Sequence, residues 1–133
     1  MNVGIFIIAI VDMLVGSLAL VIFRPLAQGK IGRNGLYGFR TPKTLASDKA
    51  WYSANHGVAK AGGYMAIGMI IFGGVLALVS IVAALLPSTM RDDMELALLL
   101  APLGAPFVFV AGLWVAMHIE LKKLDKSESE EML

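Results

Sequence analysis

Three long runs of apolar residues divide the chain, and none alternates between apolar and polar positions as a half-buried strand would. The runs cover roughly residues 3–23, 63–86 and 95–120. Each could cross a bilayer as a helix, which takes about 20 residues. Continuous apolar runs favour helices over a barrel, whose strands alternate between lipid-facing and lumen-facing side chains. The pattern predicts an all-α membrane protein with three transmembrane helices.

The composition indicates a single membrane domain. Of the 133 residues, 58% are hydrophobic and only 16% are charged, which leaves too little polar surface to cover a soluble core. We predict one membrane domain over residues 1–124 and an acidic, polar tail over residues 125–133 that is frayed or disordered. The first run lacks the basic residues and the cleavage site that are typical of a signal peptide, so we interpret it as a retained span.

The basic residues cluster in the connector between the first and second runs. This connector carries Arg24, Lys30, Arg33, Arg40, Lys43, Lys49 and Lys60, with Asp48 as its only acidic residue. The second connector is acidic, with Arg91 against Asp92, Asp93 and Glu95. Lys and Arg concentrate on the cytoplasmic side of a membrane. We therefore predict that the N-terminus lies outside and that the first connector and the C-terminus are cytoplasmic.

Residues 33–55 of this connector, hereafter the cassette, combine glycine, basic and aromatic residues. Aromatic rings such as those of Tyr37 and Trp51 suit the headgroup zone of a bilayer. Ser47 followed by Asp48 is typical of a helix N-terminus. The helix that begins there should place Trp51 and Asn55 near one side, and it could be a short amphipathic helix on the membrane surface or run directly into the second span.

Three basic side chains in the cassette are candidate anion ligands. Arg33, Arg40 and Lys43 lie beside flexible glycines and could hold a lipid phosphate or a carboxylate of a protein partner. The simpler alternative is an interfacial loop whose basic residues bind anionic lipid and set the topology.

Asp12 is the only acidic residue near the middle of the first span. An Asp at that depth costs roughly 2.5–3.5 kcal/mol, so it needs a partner or a proton. Ala9, Gly16 and Ala19 share its helix face. Two interpretations stay open: a proton or cation site, and a hydrogen bond that fixes the helix to a neighbour.

Small residues on each span predict close helix packing. In the second span they are Gly62, Ala66, Gly73, Ala77, Ser80 and Ala84, with Met69 between them. In the third span they are Ala101, Ala105, Gly112 and Ala116. Pro102 and Pro106 should bend or loosen the outer part of the third helix.

The sequence lacks the residues that several classes of protein function require. The sequence contains no cysteine, which excludes disulfides and thiol nucleophiles. No phosphate-binding G-x-x-x-x-G-K-[ST] motif, catalytic Ser-His-Asp order or pair of carboxylates is present. His118 and Glu120 are two positions apart on a helix, so they do not share a face. We therefore expect no enzymatic activity, no cofactor, no metal and no nucleic-acid partner.

The cassette also carries a long pattern, R-N-x-x-Y-G-x-R-T-P-x-T-x-x-S-x-x-x-W-x-x-x-N. It resembles the SdpI family of bacterial membrane proteins, which is named for the immunity protein of a sporulation-delay toxin system. The matching positions are Arg33, Asn34, Tyr37, Gly38, Arg40, Thr41, Pro42, Thr44, Ser47, Trp51 and Asn55. The resemblance implies a protein of the bacterial plasma membrane with an immunity or signalling role.

The preferred hypothesis is a non-enzymatic recognition protein of the toxin-immunity type. Its partners would be membrane lipids, a toxin peptide or a cytoplasmic regulatory protein, and it could form homo-oligomers. The predicted partner-binding residues are Arg33, Asn34, Tyr37, Arg40, Thr41, Lys43, Thr44, Trp51 and Asn55. The alternatives are a proton- or cation-linked transporter or channel subunit that uses Asp12, and a structural accessory subunit of a larger membrane complex.

Overall fold

The computed structural model describes residues 3–131, leaving aside the side chains of residues 88–96, 128 and 131, and in this part of the chain all regular structure is helical. The elements are α1 (Val3–Ala27), α2 (Asp48–Ala83) and α3 (Ser88–Glu131). Each is long and apolar enough to cross a membrane. This confirms the predicted all-α protein with three spans.

The two helix ends that flank the cassette are fixed by local hydrogen bonds. Near the end of α1, the N–H of Lys30 donates to the carbonyl of Pro25 and that of Gly29 to Leu26, and Gly29 has φ +66°. This is a Schellman motif, in which glycine takes the left-handed position without strain. At the start of α2, the Ser47 hydroxyl accepts from the N–H of Ala50 at 3.1 Å, which confirms the predicted N-cap.

The helix that begins at Asp48 is not a separate amphipathic helix. It runs through 36 residues to Ala83 and forms the second span itself. The first turns of α2 therefore belong to the cassette, and the later turns belong to the membrane domain. A rigid element thus joins the two parts of the protein.

α1 and α2 pack closely through small residues. A Cβ atom built on Gly16 would lie 2.8 Å from the carbonyl oxygen of Ala66, and one on Gly73 would lie 2.7 Å from that of Ala9. The pairing of these positions shows that the two helices run antiparallel. The predicted face of α1, including Asp12, is buried.

The predicted face of α2 is confirmed from Gly62 to Gly73 and at Ser80, but not at Ala77 and Ala84. Leu76 and Ala83 are buried beyond Gly73, whereas Ala77 and Ala84 are only half-buried. The buried stripe continues from Gly73 in steps of three and four residues. Ala77 and Ala84 each lie one position past it, about 100° around the helix.

α3 packs less extensively than the other helices. Only 6% of its most apolar segment is buried, against 28% for α1 and for α2. Ala101 is exposed and Gly112 half-buried, so the predicted small face of α3 is only partly used. The helix also stays continuous through Pro102 and Pro106. Its contacts include Phe109, whose ring centroid lies 6.3 Å from that of Phe23 in α1.

The prediction of a disordered tail is wrong for residues 125–131, because α3 continues to Glu131. Leu124 is buried and packs with Ala50 and Ala54 of α2. This apolar contact brings the end of α3 against the first turns of α2. This contact extends the helical bundle past the apolar spans.

Replacing Gly73 with alanine is expected to lower the free energy of unfolding by about 1–3 kcal/mol, because the added methyl group overpacks the α1–α2 contact. Gly74→Ala is the matched control, since nothing lies within 4 Å of its Cβ position. Alanine there should be neutral or stabilise the helix by about 0.5–1 kcal/mol. Thermal unfolding in detergent micelles measures both variants, and equal unfolding temperatures would contradict the packing.

Candidate functional site

The cassette folds against the first two turns of α2. Trp51 is completely buried, and its indole N–H donates to the carbonyl of Ile31 at 2.9 Å. Asn55, one turn further on, is also buried. The Trp51 ring is therefore covered by the protein itself and leaves no surface for contact with lipid headgroups.

The side-chain amide of Asn55 pairs with the backbone of the loop. Its Oδ1 accepts from the N–H of Phe39 at 2.7 Å, while its Nδ2 donates to the carbonyls of Trp51 at 3.0 Å and Phe39 at 3.4 Å. One amide thus satisfies both backbone groups of Phe39. Buried polar groups of this kind need such partners, because an unmade hydrogen bond costs about 1–3 kcal/mol.

Gly38 allows the chain to approach this amide. Its φ is +112°, a conformation that L side chains rarely adopt. A Cβ atom at this position would lie 2.6 Å from Oδ1 of Asn55 and 2.9 Å from Cη2 of Trp51. Both the backbone conformation and the available space therefore require glycine.

A second turn is organised by Asn34. Its Oδ1 accepts from the N–H groups of Leu36 at 2.8 Å and Tyr37 at 2.7 Å, and its Nδ2 donates to the carbonyl of Gly32 at 2.8 Å. Asn side chains commonly replace a backbone partner in turns in this way. The Tyr37 hydroxyl donates to the carbonyl of Ile22 in α1, which ties this turn to the first span.

A third turn is held by two threonines. The buried Thr44 hydroxyl donates to the carbonyl of Phe39 at 2.8 Å and accepts from the N–H of Thr41 at 2.9 Å. The N–H of Leu45 closes the turn on the carbonyl of Thr41 at 3.0 Å. Asn34, Thr44 and Asn55, which we predicted as partner-binding residues, thus make their hydrogen bonds within the cassette.

The predicted basic ligands do not converge on one point. Arg33 donates to the carbonyl of Leu45 at 2.7 Å and pairs with Asp48 at 3.1 Å. Lys43 pairs with Asp125 of α3. Arg40 is exposed, and its side chain makes no hydrogen bond or ion pair with the described residues. Exposed ion pairs contribute only about 0–1 kcal/mol. Arg33 and Lys43 could therefore each leave its carboxylate for another anion at little cost in free energy.

Leu36 is a surface feature that the sequence analysis missed. It is 97% exposed at the turn formed by Asn34. The available signal was a large aliphatic side chain between Gly35 and Tyr37, in a stretch rich in glycine and basic residues. Leu36 is therefore a fully exposed apolar side chain of the folded loop, and Arg40 is an exposed cation without a hydrogen bond or ion pair among the described residues.

Asp12 lies away from the cassette. It is ten residues before Ile22 in α1, or about 15 Å along the helix axis. Only 3% of it is exposed, and its Oδ2 has no hydrogen-bond partner among the described residues. Ser80 Oγ in α2 is likewise buried without a partner in this part of the chain. Of the two interpretations of Asp12, the hydrogen bond to a neighbouring helix is not seen at Oδ2 among the residues that the structure describes.

The sequence model of the SdpI/YfhL protein family matches residues 30–119. The chain belongs to the SdpI/YfhL family. The matched region contains the whole cassette, all of α2 and most of α3, which confirms the resemblance carried by the cassette pattern. No curated protein and no solved structure showed a significant match. In this SdpI/YfhL protein, most of the polar side chains that carry the pattern hold the loop together.

Gly38→Ala should open the cassette, because a Cβ atom there meets Asn55 and Trp51. In a Trp114→Phe background, acrylamide quenching of Trp51 fluorescence should rise from near zero to a level that is typical of an exposed ring. Gly35→Ala is the control, since nothing lies within 4 Å of its Cβ position. Unchanged quenching in both variants would show that Gly38 is not needed to keep the Trp51 ring buried.

Proposed function

We propose that this SdpI/YfhL protein is a non-enzymatic recognition protein of the immunity type, and that Leu36 and Arg40 form its contact surface. One observation carries the proposal. The buried polar side chains of the cassette, Thr44 and Asn55, hydrogen-bond to the loop backbone, whereas Leu36 is 97% exposed and the exposed Arg40 side chain has no hydrogen bond or ion pair among the described residues. A loop ordered before binding loses less entropy on association, which favours affinity.

The chemistry of this surface favours an amphipathic peptide segment. The Leu36 side chain would enter an apolar pocket or contact, and the Arg40 guanidinium would donate to a carboxylate. Such a segment could belong to a toxin peptide or to a cytoplasmic regulatory protein. Family membership supports an immunity role, since the family is named for an immunity protein.

Leu36→Ser and Arg40→Gln should each weaken the protection of cells that express the protein against the toxin peptide. The peptide concentration that the cells survive should fall by about tenfold or more. Lys30→Gln is the control, because Lys30 is exposed and basic but lies outside the cassette. Comparable membrane levels of all variants must be verified by immunoblot. Full protection by both cassette variants would contradict the proposed surface.

We further propose that the cassette and the C-terminus face the cytoplasm of a bacterial plasma membrane, with the N-terminus outside. The basic first connector supports this orientation. A cytoplasmic cassette would meet a regulatory protein more readily than a peptide that arrives from outside. Orientation therefore discriminates between the two partner classes.

A single Gly35→Cys substitution reports the orientation, because the chain has no cysteine and the space around Gly35 is open. Labelling with a membrane-impermeant maleimide is expected only after cell lysis. Labelling of intact cells would show the opposite orientation and would favour direct contact between the cassette and an external peptide.

The buried carboxyl of Asp12 favours a second candidate, a proton- or cation-conducting subunit. An intramembrane carboxyl is a functional candidate by default, and its Oδ2 has no partner among the described residues. Proteoliposome flux that is lost in Asp12→Asn would support this function. Absence of flux under imposed proton and cation gradients would leave Asp12 a structural residue.

A further inference from the structure

A groove between α1 and α2 opens near the cassette end of the bundle. Its volume is about 360 Å³. Phe23, Ala59 and Ile67 line its apolar part, and Arg24, Lys60 and Tyr64 supply its polar groups. None of these six residues belongs to the contact surface of Leu36 and Arg40.

Close helix contact and open space alternate along this groove. A Cβ atom on Gly62 would lie 2.8 Å from the ring of Phe23, whereas nothing lies within 4 Å of such an atom on Gly63. Gly63 lines the groove. The neighbouring glycines thus bring the helices together on one side and leave a slot beside Lys60 and Tyr64.

The two cations at the groove have no counter-charge within the described protein. Arg24 and Lys60 are both exposed, and neither side chain makes a hydrogen bond or ion pair with the residues that the structure describes. Arg33 and Lys43 differ, because each pairs with a carboxylate. Two cations that line one groove favour an anion between them.

The order of residues along α2 matches the layers of a phospholipid. Lys60 comes first, then Tyr64, which is 74% exposed, and then Ile67. From Lys60 to Ile67 the helix advances about 10 Å toward the centre of the second span. A cation, a hydroxyl group and an apolar wall thus follow one another from the surface into the membrane.

We infer that this groove binds one anionic phospholipid. Arg24 and Lys60 bind the headgroup phosphate, the Tyr64 hydroxyl donates to the glycerol-ester region, and an acyl chain packs along Phe23 and Ile67. Basic pockets between transmembrane helices are suited to such headgroups. A soluble phosphate would leave the apolar wall uncovered, so the groove fits a lipid better than a free anion.

Native mass spectrometry of the full chain in a neutral detergent tests the site. The protein is titrated with phosphatidylglycerol, phosphatidylcholine or glycerol phosphate, which separates an anionic lipid from a lipid without net charge and from the headgroup anion alone. The expected result is one tightly bound phosphatidylglycerol and no comparable binding of the other two. Equal binding of both lipids, or saturable binding of glycerol phosphate at the same concentrations, would overturn the inference.

The double variant Arg24→Gln/Lys60→Gln should bind phosphatidylglycerol about 30-fold more weakly, which corresponds to about 2 kcal/mol at roughly 1 kcal/mol per basic residue. Lys122→Gln is the control, because it removes an exposed cation that does not line the groove. Circular dichroism verifies the fold of each variant. If a folded double variant kept the native affinity for phosphatidylglycerol, the proposed lipid site would be contradicted. A variant that unfolds is replaced by Tyr64→Phe, which is expected to weaken binding without removing charge.

Discussion

The pairing of the Asn55 side-chain amide with both backbone groups of Phe39 is the interaction on which the cassette depends. It joins an irregular loop to a turn of α2 that is already fixed by helical hydrogen bonds. Gly38 makes the approach sterically feasible, and Trp51 covers the contact with an apolar ring. The turn held by Thr44 shares the carbonyl of Phe39, and the turn held by Asn34 ends at Tyr37, next to Gly38. The loop is thus ordered mainly by hydrogen bonds within the cassette.

The helices position this junction. α1 and α2 approach closely at glycine and alanine, which suits a lipid environment, where packing rather than water exclusion drives association. The end of α1 receives the Tyr37 hydroxyl, and the end of α3 supplies Asp125 to Lys43. All three helices therefore contact the cassette or its immediate support. The weakly buried middle of α3 contributes less to this arrangement.

Local patterns in the sequence were sufficient for the spans, for the Ser47 cap and for the small residues that join α1 and α2. Each of these depends on apolar length, on a cap or on helical spacing. Trp51 was harder to assign, because an aromatic residue near a span suits the headgroup zone as well as a covered position. Leu36 was missed because its exposure results from the turn at Asn34. The continuation of α3 through residues 125–131 depends on the tertiary contact of Leu124 with α2, which composition does not encode.

Amide hydrogen exchange, resolved by NMR on the full chain in lipid nanodiscs, measures the order of the cassette most directly. The Phe39 amide donates to a buried acceptor, whereas the Gly35 amide donates to no acceptor among the described residues. Phe39 should therefore exchange as slowly as the hydrogen-bonded amides in the second turn of α2, while Gly35 exchanges fast. Fast exchange at both positions would contradict a cassette that is folded before it meets a partner.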